Sequence, residues 1–525
     1  MNKGKKIFLI MLMLVATLFL SSCTQVNANK DEKIDFKIEP IKLFNDPLCI
    51  NKQKLSNYLQ DSGWPQIYDK GIEDCANALT MDSEGNIIVA GYSGYITDSL
   101  SEELDFLTVK YDTQGNEIWN VTYDSGYYDL GWDVAVDSLD NIILYGFNWS
   151  SYGDQQDLKL YLRVVKFDKN GVYQWNRSYH NAINNFPGGI KVDSNDNIII
   201  SGGYGNLDDL VFSLWALKMD NDGTEIWNQT FTDDLISIGT DVALDSNDNI
   251  IVGGISASFF GQGYNIVKYD SNGTQISAHR YNMGTQPNSI ALDQEENMIL
   301  SGLSYSSESE TGSWFTLKCD KAGNLLWTRQ FDSGSFDAAE DVAIDSKGNI
   351  ITVGSSWFSG EKVEQCAIIY DKDGNEKCLK RSGVEGVIYG ILIDNNDNIY
   401  ITGAINQSFD YSFYTDLYDD ITPPSIQMTK PVENYLYILN TKFIPLTKNT
   451  IILGKITISI EADDPNGVMK VEFYTNYNLK ETLTELDYEW TWSGGALFSK
   501  IILNVMAYDE FGNAVRYELM VWKPF

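Results

Sequence analysis

One arrangement of polar and apolar positions recurs through the middle of the chain. An Asp is followed by four residues usually ending in Asn, then an apolar triplet, then a Gly nine residues after the Asp. It runs Asp82 to Gly91, Asp137 to Gly146, Asp193 to Gly202, Asp245 to Gly254, Asp293 to Gly302, Asp345 to Gly354 and Asp394 to Gly403, seven copies 48–56 residues apart. A second phrase lies between them: an apolar residue, Lys, an aromatic, Asp, then a Gly-containing turn leading to Trp. Lys110-Tyr111-Asp112 to Trp119 and Lys166-Phe167-Asp168 to Trp175 are examples; in two later copies the Trp decays to Ser277 and Cys378. Each unit predicts four short strands: a, of the Asp133–Asp137 type; b, of the Asn141–Leu144 type; c, of the Phe106–Tyr111 type; d, of the Glu117–Tyr123 type. The a–b and c–d joints have the chemistry of tight hairpin turns, with Gly or Asn accepting positive φ. The strand b triplets are apolar on both faces, as in a sheet packed between two neighbours.

Four antiparallel strands repeated seven times predict an all-β fold, a seven-bladed β-propeller. The last copy reaches a c-like Phe413 to Asp419 with no d strand after it, while Trp64-Pro-Gln-Ile-Tyr68-Asp69 mirrors Trp119 to Asp124. The N-terminal strand is therefore expected to complete the last blade and close the ring, which protects two sheet edges. The Asp-x-x-Gly-Asn-Ile-Ile-x-x-Gly and Lys-Tyr-Asp-x-x-Gly-Asn-x-x-Trp phrases resemble the SBBP-type β-propeller repeat of prokaryotic surface proteins, over Trp64 to Asp420. The resemblance implies an extracellular binding or scaffold module and brings no shared catalytic residues.

The ends of the chain read differently. Lys3, Lys5 and Lys6 precede an apolar run, Ile7 to Leu20, too short for an ordinary spanning helix. Leu20-Ser21-Ser22-Cys23 resembles the lipobox of prokaryotic lipoproteins, which implies that Cys23 becomes the lipidated first residue of the mature protein. The expected organisation is a signal peptide at 1–22, a solvated tether at 23–63, the propeller at 64–420 and a C-terminal domain at 421–525. Thr422-Pro423-Pro424 marks the last boundary. Beyond it Ile456–Ile460, Val471–Tyr474, Tyr488–Trp492 and Ile501–Ala507 read as strands of a β-sandwich. Glu461-Ala462-x-Asp464 and Ala507-Tyr508-Asp509-x-x-Gly512-Asn513 resemble prokaryotic Ig-like surface domains, which implies a spacer or adhesion module. The protein is expected to be exported and membrane-anchored at the cell surface through lipidated Cys23.

Composition narrows the chemistry. The 525 residues carry 38 Lys+Arg against 73 Asp+Glu, a formal charge of −35, and the chain has two His, His180 and His279. Such a surface repels phosphates and excludes nucleic acid as a partner; the His count argues against His-based metal sites and proton shuttles. The turns Asp193-x-Asn195-x-Asn197, Asp245-x-Asn247-x-Asn249 and Asp394-x-Asn396-x-Asn398 superficially resemble a calcium loop, but a strand begins at position six where an EF-hand needs Gly. Hairpin turns are the better reading, and no cofactor or metal is expected. Cys366 and Cys378 fall on strands c and d of one hairpin near opposite positions, where an exported protein permits a disulfide; two free thiols are the competing reading.

The antiparallel order puts the short a–b and c–d turns on one face of the ring and the irregular b–c and d–a loops on the other. The loop face holds Tyr95, Trp149, Tyr152, Trp314, Trp357 and Phe358, with Tyr127, Tyr128 and Trp132. Variable loops on a rigid ring are where binding evolves, so these rings are the candidate ligand-binding residues, against the alternative that they pack the loops onto the blades. Asp133, Asp241 and Asp341, at equivalent starts of strand a, are the acids placed near the central channel. The leading function is non-catalytic binding of a surface glycan or another surface protein. The alternatives are an enzyme, a lyase or glycosidase acting on extracellular polysaccharide, and a structural coat or spacer.

Overall fold

Asp and Asn at the turns and branched apolar residues between them build one hairpin design again and again. The computed structural model describes residues 64–523, apart from 70–73, 97–101, 151–158, 180–183, 207–210, 234, 259–260, 307–310, 334–335, 358–362, 408–409, 419–422, 465–466, 494–498 and 510–511. The expected lipobox Cys23 and tether lie outside the described residues. Every regular element among them is a β-strand. Blade 1 comprises Asp74–Met81, Ile87–Ile96, Glu102–Tyr111 and Glu117–Tyr123, hydrogen-bonded in that order as strands a to d. Blades 2 to 5 repeat it over 128–179, 184–231, 236–281 and 286–331. Blade 6 ends, and blade 7 begins, within one long strand, Glu376–Ile393.

The fourth strand of blade 7 is Gln66–Tyr68, paired antiparallel with Asp410–Tyr418 in the register Tyr68 opposite Phe413. Tyr123 stands opposite Phe106 in the same way in blade 1. Trp64, Ala76 and Leu107 share a core cluster with Tyr400 and Phe413, so blade 1 packs on blade 7 and the ring is closed as the displaced strand predicts.

The repeated polar residues tie each blade internally and to the next. In the a–b turn of blade 1, Asp82 Oδ1 accepts the Glu84 and Asn86 amides at 3.0 and 2.8 Å, and its Oδ2 accepts Asn86 Nδ2. Lys110 of strand c forms an ion pair with the same carboxylate at 2.7 Å. Lys166–Asp137, Lys218–Asp193, Lys268–Asp245 and Lys318–Asp293 repeat this pair at 2.7–2.8 Å. Burial opposes ionisation of these carboxyls, but the ammonium and the Asn donors outweigh it and hold them below the usual carboxylate range. The turn residue at positive φ is Gly only at Gly85 and Gly348; elsewhere it is Asp140, Asp196, Asp248, Glu296 or Asp397. The expectation of Gly or Asn there misses a second duty. Ser83 donates from N and Oγ to Asp140 at 2.8 Å each, and Ser138, Ser194 and Ser346 do the same to Asp196, Asp248 and Asp397 in the following blade.

The Trp of strand d performs the same service at the rim. Trp119, Trp227 and Trp327 donate Nε1–H to the carbonyls of Lys169, Ser271 and Lys372, each in the c–d turn of the next blade, at 3.2–3.3 Å. Gly273 in such a turn has φ +87°, and a Cβ there would lie 2.8 Å from the Trp227 ring. Backbone freedom and lack of bulk are both required at that position.

Residues 423–523 form a sandwich around a core that includes Ile458, Val471, Phe473, Tyr488, Leu503 and Val505. One sheet holds Ser425–Lys430, Ile456–Asp463 and Tyr488–Trp492; the other is centred on the hairpin of Ser499–Asp509 and Asn513–Lys523. That hairpin does not hang free. Asn513 and Ala514 pair with Lys380 and Leu379 on the outer strand of blade 6, and Met506, Tyr508 and Ala514 share a core with Ile368, Tyr370 and Leu379. Arg381 donates to Glu364 and Tyr508, and Arg516 to Glu376 at 2.7 Å. Strand d of blade 6 carries Cys378 where blades 1, 2, 3 and 5 carry Trp.

Candidate functional site

Strand a is the innermost strand of each blade, and in every blade it carries a bulge. The register breaks between Ala76 and Ala78, Gly131 and Asp133, Pro187 and Ile190, Gly239 and Asp241, Pro287 and Ser289, Ala339 and Asp341, and Ile388 and Gly390. A bulge inserts one residue and re-aims its neighbours. Here it turns Trp132, Glu340 and Tyr389, all half-buried, into the centre of the ring, just ahead of Asp133, Asp341 and Gly390.

Asp133, Asp241 and Asp341 are brought together around the channel, as expected, and each is also a clamp between blades. Asp133 Oδ2 accepts the Ile190 amide at 2.8 Å, Asp241 Oδ2 the Ile290 amide at 2.9 Å, and Asp341 Oδ2 the Ile391 amide at 2.9 Å. Even-numbered blades thus carry Asp at this position. Odd-numbered ones carry the small Ala78, Gly189, Ser289 and Gly390, which leave room for it. A Cβ on Gly189 would lie 2.1 Å from Asp241 Oδ1.

Ser289 lies within hydrogen-bond distance of two carboxyls, 3.0 Å from Asp241 Oδ2 and 2.6 Å from Asp341 Oδ1. A hydroxyl has one proton to donate, so Ser289 serves one of the two carboxyls at a time. Burial raises both groups. Asp341 is pushed up to about 7, burial and the Asp241 charge overcoming the donors from Ser289 and Ile391; Asp241 moves in the same direction, its burial outweighing the help of Lys191. Glu340, in the bulge, is pushed up to about 8 by burial and by Asp341, and its Oε2 accepts Asn288 Nδ2 at 3.0 Å. Lys191, two residues beyond Gly189 and on the same side of the strand, faces this group. Burial disfavours its charge, but Asp133, Asp241 and Asp341 together raise its pKa. The channel therefore presents a cation, carboxyls whose ionisation burial disfavours and two aromatic rings. Perturbed titratable groups converging in one place mark a functional site more often than a surface does.

The loop-face aromatics divide. Tyr152 and Phe358, and the side chains of Tyr95 and Trp149, lie outside the described residues. Trp357 is half-buried at the end of a strand, its amide bonded to the Phe336 carbonyl at 2.9 Å. Tyr127 is 42% exposed. Trp314 is a correction. It is 0% exposed in strand c of blade 5, its Nε1–H donating to Thr352 Oγ1 of blade 6 at 3.1 Å, so it is a core residue between blades. The Lys of strand c could have revealed this: four residues before it stand Phe106, Leu162, Leu214, Tyr264 and Trp314, all buried.

Of the two readings of Cys366 and Cys378, the structure has the free thiols. In the c–d pairing Cys378 stands opposite Ile369 and Cys366 opposite Arg381, three residues out of register with each other. The Asp-x-Asn-x-Asn turns have their carboxylates filled from within: Asp193 accepts two backbone amides, Asn197 Nδ2 and Lys218 Nζ.

Residues 445–512 match the family described as Bacterial Ig domain. Among curated proteins, the chain is 23% identical over 485 aligned residues to an uncharacterized WD repeat-containing protein of Acanthamoeba polyphaga mimivirus, covering 63% of this chain and 35% of that protein. The chain thus spans about a third of the length of the curated relative it matches. Among solved structures, the β-propeller domain of the Trilobed protease from Pyrococcus furiosus is 10% identical with a TM-score of 0.40, covering 67% of this chain and 93% of its own. A polysaccharide lyase, an ulvanlyase, is also 10% identical with a TM-score of 0.43, covering 67% and 95%. At such identities the likeness concerns fold alone.

Proposed function

We propose that the chain is an exported cell-surface protein, anchored by a lipid on Cys23, that binds a glycan or protein segment on the loop face of its propeller without acting on it chemically. One observation carries the choice of face and of role: the repeated polar groups are already engaged in holding the ring. On the turn face the Asp, Ser and Lys side chains bond within the blade or to the next one. In the channel the acids that an enzyme would use accept backbone amides from the adjoining blade. The loop face is what remains for a ligand, with Tyr127 and Trp357 among its described rings. The SBBP-type repeat and the Ig-like sandwich fit a surface scaffold. The test is a glycan array and a surface-proteome binding screen with the purified chain. Trp357→Ala and Tyr127→Ala should weaken any binding found, and Ser194→Ala should not. A ligand whose affinity follows Ser194 and ignores both rings would overturn the face assignment. Cys23→Ser should release the protein from the membrane fraction or leave it unprocessed.

A second reading, an enzyme acting on extracellular polysaccharide, is favoured by Glu340 and Asp341, carboxyls pushed up to about 8 and about 7, with Lys191 facing Asp341. It requires turnover of a polysaccharide that Glu340→Gln abolishes.

A further inference from the structure

The loop between blades 1 and 2 gathers three carboxylates that the rest of the repeat does not have. Asp105 sits in strand c of blade 1, Asp124 just after strand d, and Asp129 in strand a of blade 2. One oxygen from each lies within 4.8 Å of the other two, and Asp105 and Asp129 are buried. At the junction of blades 3 and 4 the corresponding positions are Ser213, Thr232 and Ser237. There the first two hydroxyls share a 2.7 Å hydrogen bond, and Ser237 Oγ accepts the Asp233 amide. A neutral arrangement in one copy is thus a triple carboxylate in another. Like charges this close, two of them out of water, require compensation.

A second observation is independent of the acids. Asn148, opposite Asp129 in the register and 1% exposed, faces blade 1: two residues earlier a Cβ on Gly146 would meet the Phe106 ring of that blade. Ser125 Oγ donates its one proton to Asp129 Oδ1 at 2.8 Å, so the group 3.0 Å from that oxygen is the Asn148 NH2. The Asn148 carbonyl is left over, a buried acceptor without a donor. The nearest cation acting on Asp129 is Arg163, whose NH1 is bonded to Tyr123 Oη and Asn176 Oδ1.

We propose that Asp105, Asp124, Asp129 and the Asn148 carbonyl bind a divalent cation, calcium by ligand type, which fastens the blade 1–2 loop on the loop face. The donor set is all oxygen, as a hard cation takes, and oxygens about 2.4 Å from one ion lie no more than about 4.8 Å apart. The site is distinct from the Asp-x-Asn-x-Asn turns, which lie on the opposite face.

The test uses the purified full-length chain with calcium alone as the probe. Calorimetric titration and thermal unfolding in 1 mM Ca2+ against EDTA should show saturable binding and a rise in Tm. Terbium should give tyrosine-sensitised emission that calcium displaces, since Tyr123, Tyr127 and Tyr128 lie in the same stretch. Asp124 is exposed, so Asp124→Asn keeps the fold and should weaken calcium binding at least about ten-fold. Asp105→Ser with Asp124→Thr copies the blade 3–4 junction at two of its three positions; it should abolish the Tm response and be no less stable than the parent in EDTA. Asp337→Asn, at the equivalent strand-a position of blade 6, should leave calcium affinity unchanged. Absence of calcium binding at millimolar concentration, or an affinity unmoved by Asp124→Asn, would overturn the proposal.

Discussion

Trp64→Ala tests ring closure at its seam. The indole is 2% exposed, held edge-on between Tyr111 of blade 1 and Tyr400 of blade 7 at centroid separations of 5.6 and 5.9 Å. Truncating a buried Trp costs about 3–5 kcal/mol, and each edge-on pair adds roughly 0.5–1.5 kcal/mol beyond the area it buries. The Nε1 bond to the Thr113 carbonyl is long at 3.5 Å, and its loss adds little. Because these terms overlap, the expected loss is about 5 kcal/mol. The closing strand has only three ladder pairs, Gln66 to Tyr68 against Thr415 to Phe413, so without the indole it should detach. The equivalent Trp119 is half-buried and latches two blades that are already complete. Trp119→Ala should cost only about 1–2 kcal/mol. Urea unfolding followed by far-UV circular dichroism compares the two variants, and limited proteolysis near residue 64 reports strand release. A loss below about 1.5 kcal/mol for Trp64→Ala, or equal losses for the two variants, would refute the closure argument.

Four further outcomes are expected. Lys166→Ala strands the Asp137 carboxylate in the interior and should cost about 3–5 kcal/mol, whereas Lys166→Met with Asp137→Leu should recover most of it; equal losses for both would contradict the desolvation argument. The depressed carboxyls of these pairs contribute stability above the unfolded pKa of about 4 that is lost as pH falls through their folded values, so Asp137→Asn should flatten the acid limb of a Tm–pH profile. Glu340 has the opposite sign. Its contribution is fully present below an unfolded value of about 4 and lost as pH rises to about 8, so Glu340→Gln should stabilise by a few kcal/mol at pH 8.5 and hardly at pH 4.5. Removing 423–525 uncovers Leu379 and Tyr370 and takes Tyr508 from Arg381, and the propeller Tm should fall by several degrees; an unchanged Tm would mean that the sandwich is docked without consequence.

The blades were legible because two periodicities coincide in the chain. The apolar triplets mark strand b, and Asp-to-Asn turns mark where it starts. The displaced Trp64–Tyr68 strand was legible for the same reason, since it copies Trp119–Tyr123. What escaped were features that depend on a single inserted residue. The bulge that turns Glu340 into the channel adds one residue to strand a, and alternation counted along the strand does not show it. The c–d register, which sets Cys378 opposite Ile369 rather than Cys366, is fixed by the turn and was not readable from spacing alone. The docking of the sandwich on blade 6 left no distinct trace, since Trp is lost at Cys378 there and also at Ser277 of blade 4. The Asp–small alternation from Ala78 to Gly390 was present in the seven aligned copies, and it becomes meaningful only once each Asp is seen to reach across to the next blade.

A ring of copies also limits where individuality can arise. A repeated residue here has a partner in the next blade, as Ser138 has Asp196 and Trp227 has the Ser271 carbonyl, so changing it in one copy leaves that partner unsatisfied. A departure can persist only where something present once makes up the loss. At blade 6 the sandwich does so: Arg381 and Cys378 replace the usual strand-d pattern and meet Tyr508 and Ala514. At blade 3, Lys191 stands where other copies have Ala135, Ala243, Ala291 and Ala343, and three acids from blades 2, 4 and 6 compensate its burial. Blade 7 and blade 1 are both small at the clamp position, because seven is odd and Asp cannot alternate across the seam; Gly390 instead lies against Leu79, and closure rests on the aromatic contacts of Trp64. By the same logic the close approach of Asp124 and Asp129 beside Asp105 calls for a group present at this junction alone. No described side chain forms an ion pair with Asp124 or Asp129, which is why the ion assigned to them follows from the fold rather than from the acids alone.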